Sequence, residues 1–157
     1  MSNKLQVSVI QCFTTATVET FSQMVAMEIK PGKPHAKSTG DTVYGVTGVI
    51  GLTGDVRGVL AITLQEKTAL KVIGSFTGDA YKEINADVVD GVKELANIIT
   101  GAAKAKLDDR GYNYQLSLPK VVAGYNYVSS PGAGTKVVII PFMCDYGEFM
   151  LDIALKA

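Results

Sequence analysis

Residues 85–111 run NADVVDGVKELANIITGAAKAKLDDRG, and the periodicity of this stretch decides how the rest of the chain can be arranged. At about 100° per residue, Asp90, Glu94, Asn97 and Gly101 fall in a narrow sector of one helix face. Val88, Val92, Leu95, Ile99, Ala102 and Ala103 centre on the opposite side. The segment is therefore a long amphipathic helix with one buried face. Its other face carries acids, a carboxamide and a glycine. Asn85 suits the N-cap, Asp87 the positive end of the helix dipole, and Gly111 a left-handed C-cap.

On the N-terminal side, residues 7–29 carry Ile10, Phe13, Thr17, Phe21 and Met24 at three- and four-residue steps, the mark of a second long helix. Pro31 and Pro34 are expected to end it. Residues 43–52 and 56–64 are strand-like runs around Thr53-Gly54-Asp55, which predicts an antiparallel hairpin. A shorter helix is expected over 66–76, stopping at Thr77-Gly78-Asp79. Beyond the long helix, strands are predicted over 115–127, 136–144 and 148–156, with Asp145-Tyr146-Gly147 as the last turn and a surface loop over 129–134. Each half is thus a long helix followed by an antiparallel pair, a faint internal duplication. The hairpin sequences VIGLTGDVRGVLAITL and VIIPFMCDYGEFMLDIAL share a loose pattern. The fold class is α/β of the α+β kind: a largely antiparallel, pseudo-duplicated sheet with two long helices packed on one face, forming one domain over residues 1–157.

Composition narrows the function. With 157 residues, 47% hydrophobic and 19% charged, the chain has ordinary globular composition and enough length for a substantial core. Fifteen basic residues balance fifteen acidic ones, so there is no electrostatic case for nucleic acid or an anionic membrane. The longest apolar run, 137–144, is too short to span a bilayer, and MSNKLQVSVIQC lacks the core of a signal peptide. A cytoplasmic location is expected. Cys12 and Cys144 lie far apart without a CxxC, as thiols do in a reducing compartment. His35 is the only histidine and falls in a Pro/Gly turn, so neither a transition-metal site nor a histidine triad is expected.

Gly45, Gly48, Gly51 and Gly54 recur every three residues, yet they lie within and between strands. A phosphate loop must deliver its amides to a helix N-terminus, so these glycines are expected to serve bulges or close helix approach instead. Gly132-Ala133-Gly134-Thr135-Lys136 likewise leads into a strand. There is no Gly-x-Ser-x-Gly elbow, no Cys–His pair and no acidic cluster that would hold Mg²⁺ by itself. Chemistry must then use a few polar side chains, or borrow metal and electrophile from another molecule. Glu-x-x-Asn on an exposed helix is common by chance. Asparagine, however, is a poor mid-helix residue, and Gly101 removes bulk one turn later. These features point to a protein-docking face.

At these residues the sequence resembles the CheC/CheX/FliY family of chemotaxis phosphatases, and within it the CheX members. The family's mark is an Asp or Ser, three residues, Glu, two residues, Asn, and a Pro some twenty residues on. Here it reads Asp90-Gly91-Val92-Lys93-Glu94-Leu95-Ala96-Asn97, with Pro119 after Leu118. The likeness continues through MEIKPGKP, GVIGLTGDVRGVLAIT and VVIIPF. The resemblance implies a CheC-like fold, and a phosphorylated CheY-like response regulator as partner and substrate. It implies that Glu94 and Asn97 carry the reaction, Glu94 pairing with the regulator's active-site lysine and Asn97 orienting the attacking water. Asp90 would support Glu94 or belong to the docking surface, and Pro119 would shape the following strand; Gly101, from its place on the same helix face, is grouped with Asp90 as partner-binding. The chain would need no cofactor of its own, the regulator supplying Mg²⁺, and a homodimer joined at sheet edges is expected. The first helix offers Thr15, Glu19 and Ser22 at similar spacing, with a serine too short to replace the asparagine, so one active face per chain is expected. The competing class is a non-catalytic docking module of the same fold, as in flagellar switch proteins.

Overall fold

A computed structural model describes residues 3–36, 44–125 and 135–156. In chain order these form helix α1 (Asn3–Thr20), a π-helical turn (Phe21–Val25), and the short strands β1 (Lys30–Pro31) and β2 (His35–Ala36). There follow β3 (Tyr44–Gly54), β4 (Gly58–Gln65), α2 (Glu66–Thr77) and α3 (Ala86–Asp109). The chain closes with β5 (Tyr114–Leu116), β6 (Lys120–Tyr125), β7 (Thr135–Cys144) and β8 (Gly147–Lys156).

All strand pairs are antiparallel. The two predicted hairpins, β3–β4 and β7–β8, form the middle of the sheet and join through β4 against β8, with Ile62 opposite Leu151. The flanking strands are exchanged. β1 and β2, from the first half, pair with β7, while β5 and β6, from the second half, pair with β3. The internal duplication read from the sequence is therefore a two-fold interlock, with each half supplying the edge of the other's hairpin.

Alternation drives the layering. Leu60, Ile62 and Leu64 on β4 and Phe149, Leu151, Ile153 and Leu155 on β8 are buried in one cluster with Val9, Phe13, Val92, Leu95 and Ile99 of the helices. Phe149 stacks on Phe21 at 4.7 Å and on Phe142 at 5.1 Å, fastening the end of the first helix to the β7–β8 hairpin. α2 joins the two long helices in this layer.

Several expectations shift. The first helix begins at Asn3 and ends at Val25, well before Ile29, and neither proline ends it. A π turn over Phe21–Val25 adds a residue to the last turn, and Ala26 follows in the left-handed conformation (φ 56°), its N–H donating to the carbonyl of Phe21. The extra residue rotates the stripe: Val25 is buried where the three–four spacing placed Met24, which is 49% exposed. The predicted strand over 115–127 is broken between β5 and β6. Residues 117–119 lie opposite two residues of β3, and the Gly51 N–H donates to the Ser117 hydroxyl at 2.7 Å. Pro119, which has no N–H for the ladder, sits in this bulge. His35 lies in β2 opposite Ile139 and not in a turn. Val56, expected to open a strand, is instead a fully buried residue of the β3–β4 connection. The loop expected over 129–134, and the ends of the strands predicted at residues 43 and 126–127, lie outside the described residues.

Two predictions concern stability. Ala26 is an exposed non-glycine residue at positive φ, so Ala26→Gly is expected to stabilise the fold by roughly 0.5–1 kcal/mol, measured by urea denaturation. Equal or lower stability would refute the strain. The Tyr114 hydroxyl is buried without a hydrogen-bond partner among the described residues. Burial, and then the charge of Asp108, push its ionisation up. The unfolded chain releases that proton near pH 10 (about the ordinary phenol value), so the contribution is whole below this pH and is lost above it. Tyr114→Phe should flatten the fall in stability above pH ~10 and leave neutral-pH stability equal or higher. An unchanged alkaline slope would contradict this.

Candidate docking and catalytic face

α3 is built to be rigid along its length. The Asn85 side chain accepts from the Val88 N–H at 3.0 Å, and Asp87 lies in the first turn. At the far end Arg110 follows, and Gly111 takes a left-handed φ of 88°, as expected. Val88, Val92, Leu95, Ile99, Ala103 and Leu107 are completely buried. Gly48 of β3 lies directly beneath the middle of the helix. A methyl group there would come within 3.3 Å of Val92 Cγ1 and 3.5 Å of Ala96 Cβ. The close approach that the strand glycines were expected to serve is realised at this position. α2 closes against the same helix at Gly91, where a β-carbon would meet Ile73 Cγ2.

Above this base, Asp90, Glu94, Asn97 and Gly101 are all exposed on one face, in the sector that the 3.6-residue period assigned them. None of the Asp90, Glu94 or Asn97 side chains has a hydrogen-bond or ion-pair partner among the described residues. Asp90 makes no contact of that kind with Glu94. One feature gave no signal in the sequence: the buried Thr100 hydroxyl donates to the carbonyls of Ala96 (2.8 Å) and Asn97 (3.2 Å), holding the backbone under Asn97. An amide and a carboxylate are thus presented at helical spacing on a braced backbone, with their full hydrogen-bonding capacity available to another molecule.

The equivalent face of α1 is different. Thr15, Glu19 and Ser22 are exposed, but Glu19 pairs with Lys106 of α3 at 3.0 Å and the Ser22 hydroxyl donates to Glu28 at 3.0 Å. Ser22 also lies in the π turn, off the regular helical spacing. These partners occupy the groups that α3 leaves open.

The sheet and this helix face define a CheC-like fold with a single open Glu–Asn face. Residues 46–143, well over half of the chain, match the family described as chemotaxis phosphatase CheX, and the chain belongs to that family. It is 27% identical to the CheY-P phosphatase CheX of Thermotoga maritima over 151 residues, which is 95% of this chain and 96% of that protein. Among solved structures, a CheC-like superfamily protein from Shewanella sp. PV-4 superposes with a TM-score of 0.88 at 33% identity, over 96% of this chain and 99% of that one. The Borrelia burgdorferi CheX–CheY–BeF3–Mg²⁺ complex is also similar, with a TM-score of 0.81 at 26% identity over 94% and 97% of the two chains.

Proposed function

We propose that this chain hydrolyses the aspartyl-phosphate of a CheY-like response regulator and so ends its signal. The observation that carries this reading is the unpartnered pair of Glu94 and Asn97 on the exposed face of an otherwise locked helix. Membership of the CheX family supports it, as does the similarity to a named CheY-P phosphatase and to a CheX bound to CheY. An acyl phosphate is already labile. What it lacks is a water held in line with phosphorus while charge is stabilised. The Asn97 amide can accept one hydrogen bond from that water and donate another, which positions it without strong basicity. Glu94 fixes the approach by pairing with the regulator's active-site lysine, and Asp90 extends the same acidic rim. Mg²⁺, held by the regulator, would supply charge neutralisation at the phosphoryl group.

The test is decay of a phosphorylated CheY-like regulator with Mg²⁺. Wild type should accelerate decay, and Asn97→Ala should lose activity on the order of a hundredfold while still binding. Near-wild-type turnover by Asn97→Ala would remove the water-positioning role. Glu94→Lys should weaken binding by setting like charge against the lysine, and undiminished affinity would sink that assignment. Binding without acceleration by wild type would leave a docking module in place of the enzyme.

We further read the protein as a cytoplasmic homodimer. Among the described residues, the outer edges of β1, β2, β5 and β6 have no strand partner, which gives edge-to-edge pairing a physical motive. Sedimentation equilibrium should return twice the chain mass, and a monomer at tens of micromolar, about the range such measurements reach, would refute it.

A further inference from the structure

Among the described residues, three glycines lie inside the helices, and two have visible structural reasons. A β-carbon at Gly74 would fall 2.8 Å from the carbonyl oxygen of Asp79, and one at Gly91 would fall 2.5 Å from Ile73 Cγ2. Gly101 is the exception. It is exposed, its φ is not positive, and among the described residues a β-carbon there would meet nothing within 4 Å. Glycine is the worst interior helix residue after proline, so the fold bears a cost at Gly101 with no return inside the chain. The position is one turn beyond Asn97, in the sector shared by Glu94 and Asn97, and the Thr100 hydroxyl braces the backbone between them.

We propose that Gly101 is the clearance that lets the regulator settle on α3 at backbone distance, and so sets how closely it seats over the Glu94–Asn97 face. This rests on the phosphatase reading above. Docking depth is a specificity device: a single added methyl lifts the regulator along the helix and weakens its seating, while the Glu94 and Asn97 side chains are untouched.

The experiment compares wild type, Gly101→Ala, Gly101→Leu and Gly91→Ala by thermal unfolding and by steady-state hydrolysis of the phosphorylated regulator. Gly101→Ala should raise Tm by roughly 2–4 °C, because alanine is the better helix former and nothing opposes its methyl. It should also raise KM about tenfold or more, and Gly101→Leu should raise it further, the loss falling on KM more than on kcat. Gly91→Ala should lower Tm, which controls for a general effect of filling helix glycines. A lower Tm for Gly101→Ala would make this glycine structural and overturn the proposal. So would a KM equal to wild type, or a loss confined to kcat. If wild type hydrolyses and Gly101→Ala matches it, the clearance fails while the phosphatase reading stands. If wild type neither binds nor hydrolyses, both fail together.

Discussion

The seating of α3 on β3 is the contact on which the rest depends. Because Gly48 has no side chain, Val92 and Ala96 descend onto the strand, and the helix axis lies close to the sheet. Close seating buries the whole Val88–Leu107 stripe and forces its complement outward. The exposed Glu94 and Asn97 are therefore a geometric consequence of core packing. A looser helix could rotate by a few tens of degrees, and the sector that faces solvent would no longer be fixed. Gly91 and Thr100 reinforce the same setting from different directions: one admits α2, the other ties down the carbonyls beneath Asn97.

The same architecture carries a second helix in the equivalent place, and the difference between the two is chemical. On α3 the polar groups are left open. On α1 Glu19 is neutralised by Lys106 and Ser22 is engaged by Glu28. The Glu19–Lys106 pair also joins the two long helices, so the carboxylate that matches Glu94 in spacing serves the fold. Its worth as a surface ion pair is small, at most about 1 kcal/mol, and its effect is mainly to remove a free carboxylate from that surface.

Most of this was legible in the sequence where periodicity was long and regular. The α3 stripe, its Asn85 cap, its Gly111 stop and the two hairpins follow from spacing and turn residues alone. The exposed face was legible for the same reason: Asp90, Glu94, Asn97 and Gly101 were placed together by one period on one helix, while the roles proposed for Glu94 and Asn97 came from the family resemblance. What spacing could not reveal were the local departures from it. The π turn inserts a residue without any proline or glycine to announce it, so Met24 was assigned to the buried side that Val25 occupies. The break at Ser117–Pro119 depends on a side-chain hydroxyl taking over a ladder position from a carbonyl, which no alternation pattern encodes. Nor can composition tell which hairpin an edge strand joins. The exchange of β1–β2 and β5–β6 between halves is a tertiary choice.

That exchange has a kinetic consequence. Residues 30–36 find their strand partners near the end of the chain, on β7, while β3 gains β5 and β6 from beyond α3. Each hairpin can form locally and early, but neither edge can be completed until the opposite half has been made. Loop closure across most of the chain must therefore precede the last pairing steps, which slows folding relative to a sheet built only of local pairings. On the ribosome, β1 and β2 wait for β7 to emerge, and the first half spends that interval with an unfinished sheet.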